Sequence, residues 1–186
     1  MNAPASPRPP RPIAASEHWR ANPFHRIRLG EVPAPDRIER WGRDPRTGNV
    51  DRGRDILSGR WRIGAEHIRG EFVSPWALTH PSRHFTARLH SFNWLIDLAA
   101  LGPLADVRIA ALVDEWVGAF GEWDEIAWDP ELTAERVYAL LCWGRPAFER
   151  GAPELRPALL RSLARQARLL MLAHGELSER HLGSIK

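Results

Sequence analysis

The sequence holds one lysine (Lys186), one cysteine (Cys142) and one tyrosine (Tyr138), and it has no long apolar run. Each scarcity excludes something. A lone cysteine forms no internal disulfide. Cys142 lies in the apolar run Tyr138-Ala-Leu-Leu-Cys-Trp143 and reads as a small buried hydrophobe. Without about 18 consecutive apolar residues, no membrane span is expected. The N-terminus lacks the apolar core of a secretory signal and opens on Pro4, Pro7, Pro9, Pro10 and Pro12. The cytoplasm is therefore the default compartment, with the periplasm open to a full-length parent protein. Lysine is nearly absent and no basic cluster interleaves with exposed aromatics, so nucleic acid is not an expected partner.

Arginine and tryptophan are what the chain has instead. It carries 26 basic and 23 acidic side chains, a net charge of +3 and a pI near 9.9. Arginine gives planar, bidentate recognition of carboxylates, sulfates and phosphates, although a GC-rich genome also enriches it. Nine tryptophans run from Trp19 to Trp143, too scattered for a single cage. Many must pack, but aromatic faces also stack on sugars. At 186 residues, with 44% hydrophobic and 26% charged, the chain has room for one domain with a substantial core.

Residues 1–15 are Pro/Ala/Arg-rich and are expected to form a disordered tail. Residues 16–78 carry turn signals and read as an irregular lead-in. A small hairpin is expected there, from Arg60-Trp61-Arg62-Ile63 and Glu71-Phe72-Val73. Four helices then follow by periodicity: Pro81 to Ala100, Leu104 to Phe120, Leu132 to Trp143, and Pro153 to Ala173, the last closed by Gly175. Val107 belongs to the apolar side of the second, Tyr138 to the third, and Leu155, Leu159, Leu160, Leu163, Leu170 and Met171 to the inward side of the fourth. Two antiparallel hairpins of about 45 residues suggest a helical repeat. The fold class is all-α, a partial (α/α) toroid over residues 79–186 behind the irregular lead-in. Such a unit does not cover its own apolar faces well, so self-association through an exposed toroid edge is expected.

Candidate chemistry is sparse. His80, His84 and His90 form a trio on paper, but Pro81 separates the first two and no fourth ligand follows, so no metal or other cofactor is assigned. Asp114-Glu115, Asp124-Glu125 and Asp129/Glu131 are sequence neighbours that point apart on a helix, whereas glycosidic hydrolysis needs two carboxyls facing across a cleft. Asp129 suits a helix cap. No nucleophile elbow, phosphate loop or dinucleotide fingerprint is present. Arg136 and Trp143 lie on one side of the third helix, and with Trp128 they suit an aromatic-plus-cation surface for an acidic sugar. The competing reading packs both tryptophans in the core. Arg161, Arg165 and Arg168 line one outer face of the fourth helix.

At these residues the chain resembles a known family. His90-Ser-Phe-Asn-Trp-Leu-Ile-Asp-Leu98 is similar to the "F-x-W-L-x-x-L" helix of heparinase II/III-like proteins. Trp128-Asp-Pro-Glu-Leu-Thr-Ala-Glu-Arg136 followed by Trp143 resembles that family's "W-x-P…A-x-R…W" stretch, and Leu160-Arg-Ser-Leu-Ala-Arg-Gln-Ala-Arg168 resembles its next helix. The resemblance implies an N-terminal (α/α) toroid, a C-terminal β-sandwich, and β-elimination on uronate-containing polysaccharide. It supplies no catalytic residue, because the segments that carry the family's catalytic groups have no match here. The expectation is the N-terminal toroid portion of such a lyase, silent alone, meeting acidic polysaccharide through Trp128, Arg136 and Trp143. The alternative is a non-enzymatic helical module that binds a protein or anionic polymer through Arg161, Arg165 and Arg168.

Overall fold

The computed structural model of the chain describes residues 33–71 and 73–183, with side chains as far as His174. The expected tail at 1–15 and the start of the lead-in lie outside the described residues, as do Phe72 and residues 184–186. Among the described residues are seven α-helices and one two-stranded sheet, so the chain is mostly helical.

Helix formation begins earlier than periodicity suggests. Helix α1, Val50–Leu57, is charged on most sides and has a glycine at its centre, which hides it from a search for apolar stripes. Its start is fixed by Asn49, whose Oδ1 accepts from the Arg52 amide at 2.9 Å. Gly53 is there for closeness. A Cβ at that position would stand 2.3 Å from the Asp97 carbonyl oxygen, so α1 rests directly on the backbone of helix α3, Leu95–Ala99. Asp97 completes the joint by accepting from the Asn49 amide at 2.7 Å.

The hairpin pairs β1, Arg60–Ile63, with β2, Glu66–Arg69, antiparallel. The second strand therefore precedes the expected Glu71–Val73. Gly64, at φ 61°, opens a two-residue turn with Ala65, so the chain reverses at once and places Ile68 opposite the buried Trp61.

The expected helix from Pro81 to Ala100 is two helices, α2 (Arg83–His90) and α3. Ser82 caps the first, its Oγ accepting from the Phe85 amide at 3.0 Å. Phe92 divides them at φ 59°, a conformation that costs an ordinary residue about 1–2 kcal/mol. Its fully buried ring packs against Trp76, Trp94 and Trp116, and burying a phenylalanine returns about 1.5–3 kcal/mol.

Helix α4 spans Asp106–Phe120 behind a short 3-10 turn at Gly102–Ala105. Helix α5 spans Pro130–Trp143, with Asp129 as cap and Pro130 in the first turn. Short α6, Arg145–Arg150, leads to α7, Leu155–Gly183. Gly175 does not end α7. A glycine costs only about 1 kcal/mol inside a helix, and the helix-forming residues after it carry the helix on. The register of α7 also differs: Leu155, Leu159, Leu160, Leu163, Leu169 and Ala173 are buried, while Met171 is 66% exposed. Val107 and Tyr138 are likewise exposed, at 75% and 46%, because α4 and α5 are each covered on fewer sides than their apolar content suggests. The core gathers where α4 meets α6 and α7, and where α5 meets α3 and α7.

Gly53→Ala sets helix propensity, worth about 1 kcal/mol in favour of alanine, against the clash with α3. The expected result in urea unfolding is a net loss of about 1–3 kcal/mol. A variant as stable as the parent would show that α1 is not seated on α3.

Candidate functional site

Arg136 comes from the middle of α5 and is fully buried. Its Nε donates to Gln166 Oε1 at 2.9 Å, and Nη1 donates to the His90 and Ala127 carbonyls at 3.0 and 2.7 Å. Nη2 donates to Thr133 Oγ1 at 3.1 Å, and the guanidinium lies 4.4 Å from the centre of the Trp116 ring. Gln166 is held in turn by donating to Ser162 Oγ at 3.1 Å. Burial lowers the Arg136 pKa to about 9, which leaves the group cationic at neutral pH. Carbonyl and amide dipoles and an aromatic face thus solvate this cation.

Trp116 also donates from Nε1 to His90 Nδ1 at 3.0 Å, which makes Nδ1 the unprotonated nitrogen of a neutral imidazole. Burial, and next the Arg136 charge, push His90 down to about 4.

Trp128 is buried beside this network and donates from Nε1 to the Phe120 carbonyl at 2.7 Å. Trp143, half-buried at the end of α5, belongs to a different cluster. Its ring meets Tyr138 edge-on and lies 5.7 Å below the Arg46 guanidinium. Arg46 and the Tyr138 hydroxyl both bind the enclosed Asp44 carboxylate. Those bonds, Arg46 first, hold Asp44 well below the usual carboxylate range. The three residues expected to share a sugar-binding surface therefore do not form one. Arg136 and Trp128 face the interior, and Trp143 fastens the lead-in to α5. The sequence sign of this contact is the pair Ser162 and Gln166, which interrupt the apolar stripe of α7 and so mark a buried polar partner.

The histidine trio disperses. His80 is bound at both ring nitrogens, by Thr86 Oγ1 and the Pro75 carbonyl, each at 2.9 Å, while His90 faces Trp116. On α7, Arg161 and Arg168 are exposed, and Arg165 is partly covered, 4.0 Å from Glu122. At 100° per residue these three fall within a narrow arc. The sequence from Leu155 to Gly175 contains no acidic residue, so the face is positive along its length. No described helix is long and apolar enough to cross a membrane.

With this geometry in view, the chain is similar to FtsZ-localized protein C of Caulobacter vibrioides, 33% identical over 154 residues. The match takes in 82% of this chain but 27% of that protein, so the chain spans about a quarter of the relative's length. No protein-family model and no solved structure matches the chain. The likeness overturns the expected role in eliminative cleavage of acidic polysaccharide, because the related protein is named for its localization with FtsZ.

His90 makes stability depend on pH. Its folded pKa lies below the ordinary 6.5, so the unfolded chain takes up the proton first. The contribution is complete above pH 6.5 and is lost as pH falls toward 4, by up to about 3 kcal/mol. Urea midpoints taken between neutral pH and the lower end of that window should fall steeply for the parent. His90→Gln should start lower and fall less; parallel slopes would show that His90 is not the group responsible.

Proposed function

We propose that this chain is a non-enzymatic helical module that binds a protein, and that this partner is FtsZ or a protein held with it. The single observation that carries the reading is the likeness to FtsZ-localized protein C along most of the chain. The surface supports it. The cation and indole best suited to a sugar are enclosed, whereas the arginines of α7 remain outside. Long, exposed guanidinium groups on a helix favour an acidic protein surface and speed encounter with it.

Three finer readings go with this proposal. The cytoplasm is the compartment. The packing of α5 on α7 and of α4 on α6 supports antiparallel hairpins of a partial toroid, and the heparinase II/III-like resemblance then concerns the fold and not the chemistry. Leu104 and Val107, 80% and 75% exposed near the start of α4, supply an apolar edge for self-association.

Surface plasmon resonance with the chain immobilised and purified FtsZ flowed across it tests the central claim. Saturable binding is expected, weakening as salt rises from about 0.1 to about 0.5 M. Arg161→Glu with Arg168→Glu should lower affinity at least tenfold, about 1.4 kcal/mol, with far-UV circular dichroism unchanged. A folded chain that gives no signal with FtsZ, together with a fluorescent fusion that ignores FtsZ in cells, would overturn the proposal.

A further inference from the structure

A groove of ≈ 340 Å³ lies between α1, β1 and α3, on the side of the molecule that carries the hairpin. Trp61 and Trp94 are among its apolar lining, and Arg52, Arg60, Arg62 and Arg88 supply its charge. Two of these arginines are occupied. Arg60 binds Asp55 at 2.7 and 3.0 Å, and Arg88 binds Glu135 at 2.9 Å. The groove's other carboxylate, Asp97, is engaged by the Asn49 amide. Arg52 and Arg62 are exposed and make no ion pair among the described residues, so the groove keeps an excess of positive charge over its one carboxylate without an ion pair, Asp97.

Along the same groove runs a strand edge. Gly70 donates to the Gly59 carbonyl at 3.0 Å, which sets the phase of the hairpin ladder. Bonded pairs alternate in an antiparallel ladder, so Trp61↔Ile68 and Ile63↔Glu66 exchange hydrogen bonds, while Arg60 and Arg62 turn their N–H and C=O groups away from β2. No other backbone bond to Arg60 or Arg62 forms among the described residues. In the groove's lining the indole Nε1 of Trp61 is also buried without an acceptor.

We propose that this groove is a binding site for an extended acidic peptide segment, which joins the open edge of β1 as a third strand and sets its carboxylates against Arg52 and Arg62. Backbone bonds from Arg60 and Arg62 supply directional contact, and the arginines select the occupant. The unpaired Arg62 on this edge also repels a second copy of the same strand, so self-pairing is disfavoured where an acidic strand is welcomed. The site is separate from the arginine face of α7 and does not depend on FtsZ being the partner.

The test uses an acetylated, fluorescein-labelled peptide of four threonine–glutamate repeats, followed by fluorescence anisotropy with the full chain. Saturable binding is expected, with amide shifts at Arg60 and Arg62 in nuclear magnetic resonance spectra. Arg62→Glu should weaken it at least tenfold. N-methylating alternate amides of the peptide should do the same, and that control leaves the protein untouched. Arg161→Glu with Arg168→Glu should leave peptide binding intact, so failure here and failure of FtsZ binding are told apart. No binding to the parent, unchanged affinity in Arg62→Glu, equal affinity for the N-methylated peptide, or full displacement by inorganic phosphate would each overturn the strand-addition site.

Discussion

One buried cation organises the helical part of this chain. Removing a guanidinium from water costs several kcal/mol even after relaxation, so its surroundings must be built to receive it. Here they come from separate places: the His90 carbonyl at the end of α2, the Ala127 carbonyl before α5, Thr133 on α5 itself, Gln166 on α7 and the Trp116 ring on α4. The planar fork of arginine reaches acceptors in several directions at fixed angles. Because each acceptor belongs to a different stretch of chain, Arg136 sets the mutual positions of α2, α4, α5 and α7.

The break between α2 and α3 follows from the same demand. A continuous helix would pair the His90 carbonyl within its own ladder, but a helix that stops at His90 leaves that oxygen free. The left-handed turn at Phe92 is thus the local cost of presenting an acceptor to Arg136, offset by burial of the phenyl ring among three tryptophans. His90 is drawn into the arrangement twice, by its carbonyl and by the ring nitrogen that accepts from Trp116. A proton on that ring would sit in an enclosed site near a fixed positive charge.

Helices were legible wherever an apolar stripe and a cap coincide, as at Asp129-Pro130 for α5. They were hidden where tertiary contact overrides local pattern. Helix α1 offers only a short apolar side, Val50, Ile56 and Leu57, around the glycine on which it rests against α3, and Phe92 carries no sequence sign of its left-handed backbone. The surroundings of Arg136 are ambiguous in sequence for a related reason. An arginine at helical spacing from tryptophans reads equally as a ligand surface or as a solvated core cation, and only Ser162 and Gln166, set within the stripe of α7, favour the second. The similarity of this stretch to heparinase II/III-like motifs is carried largely by residues that the structure uses for packing.

With the Arg136 network enclosed, the two recognition surfaces proposed above are arginine surfaces of different physical kind. On α7 the guanidinium groups of Arg161 and Arg168 stand on flexible stems in water, where each contact is screened and worth little, so that face is better at speeding encounter than at choosing a partner. The β1 groove is the reverse. Its arginines flank backbone donors and acceptors of fixed direction, with Trp61 and Trp94 in the same lining, so an occupant must match in charge and also in extended backbone. A partner with an acidic flexible segment would satisfy both in turn, drawn in by α7 and fixed at β1. A compact acidic surface would satisfy only the first. Under the two proposals together, partners that carry an unfolded acidic stretch are therefore favoured over those that are merely negative.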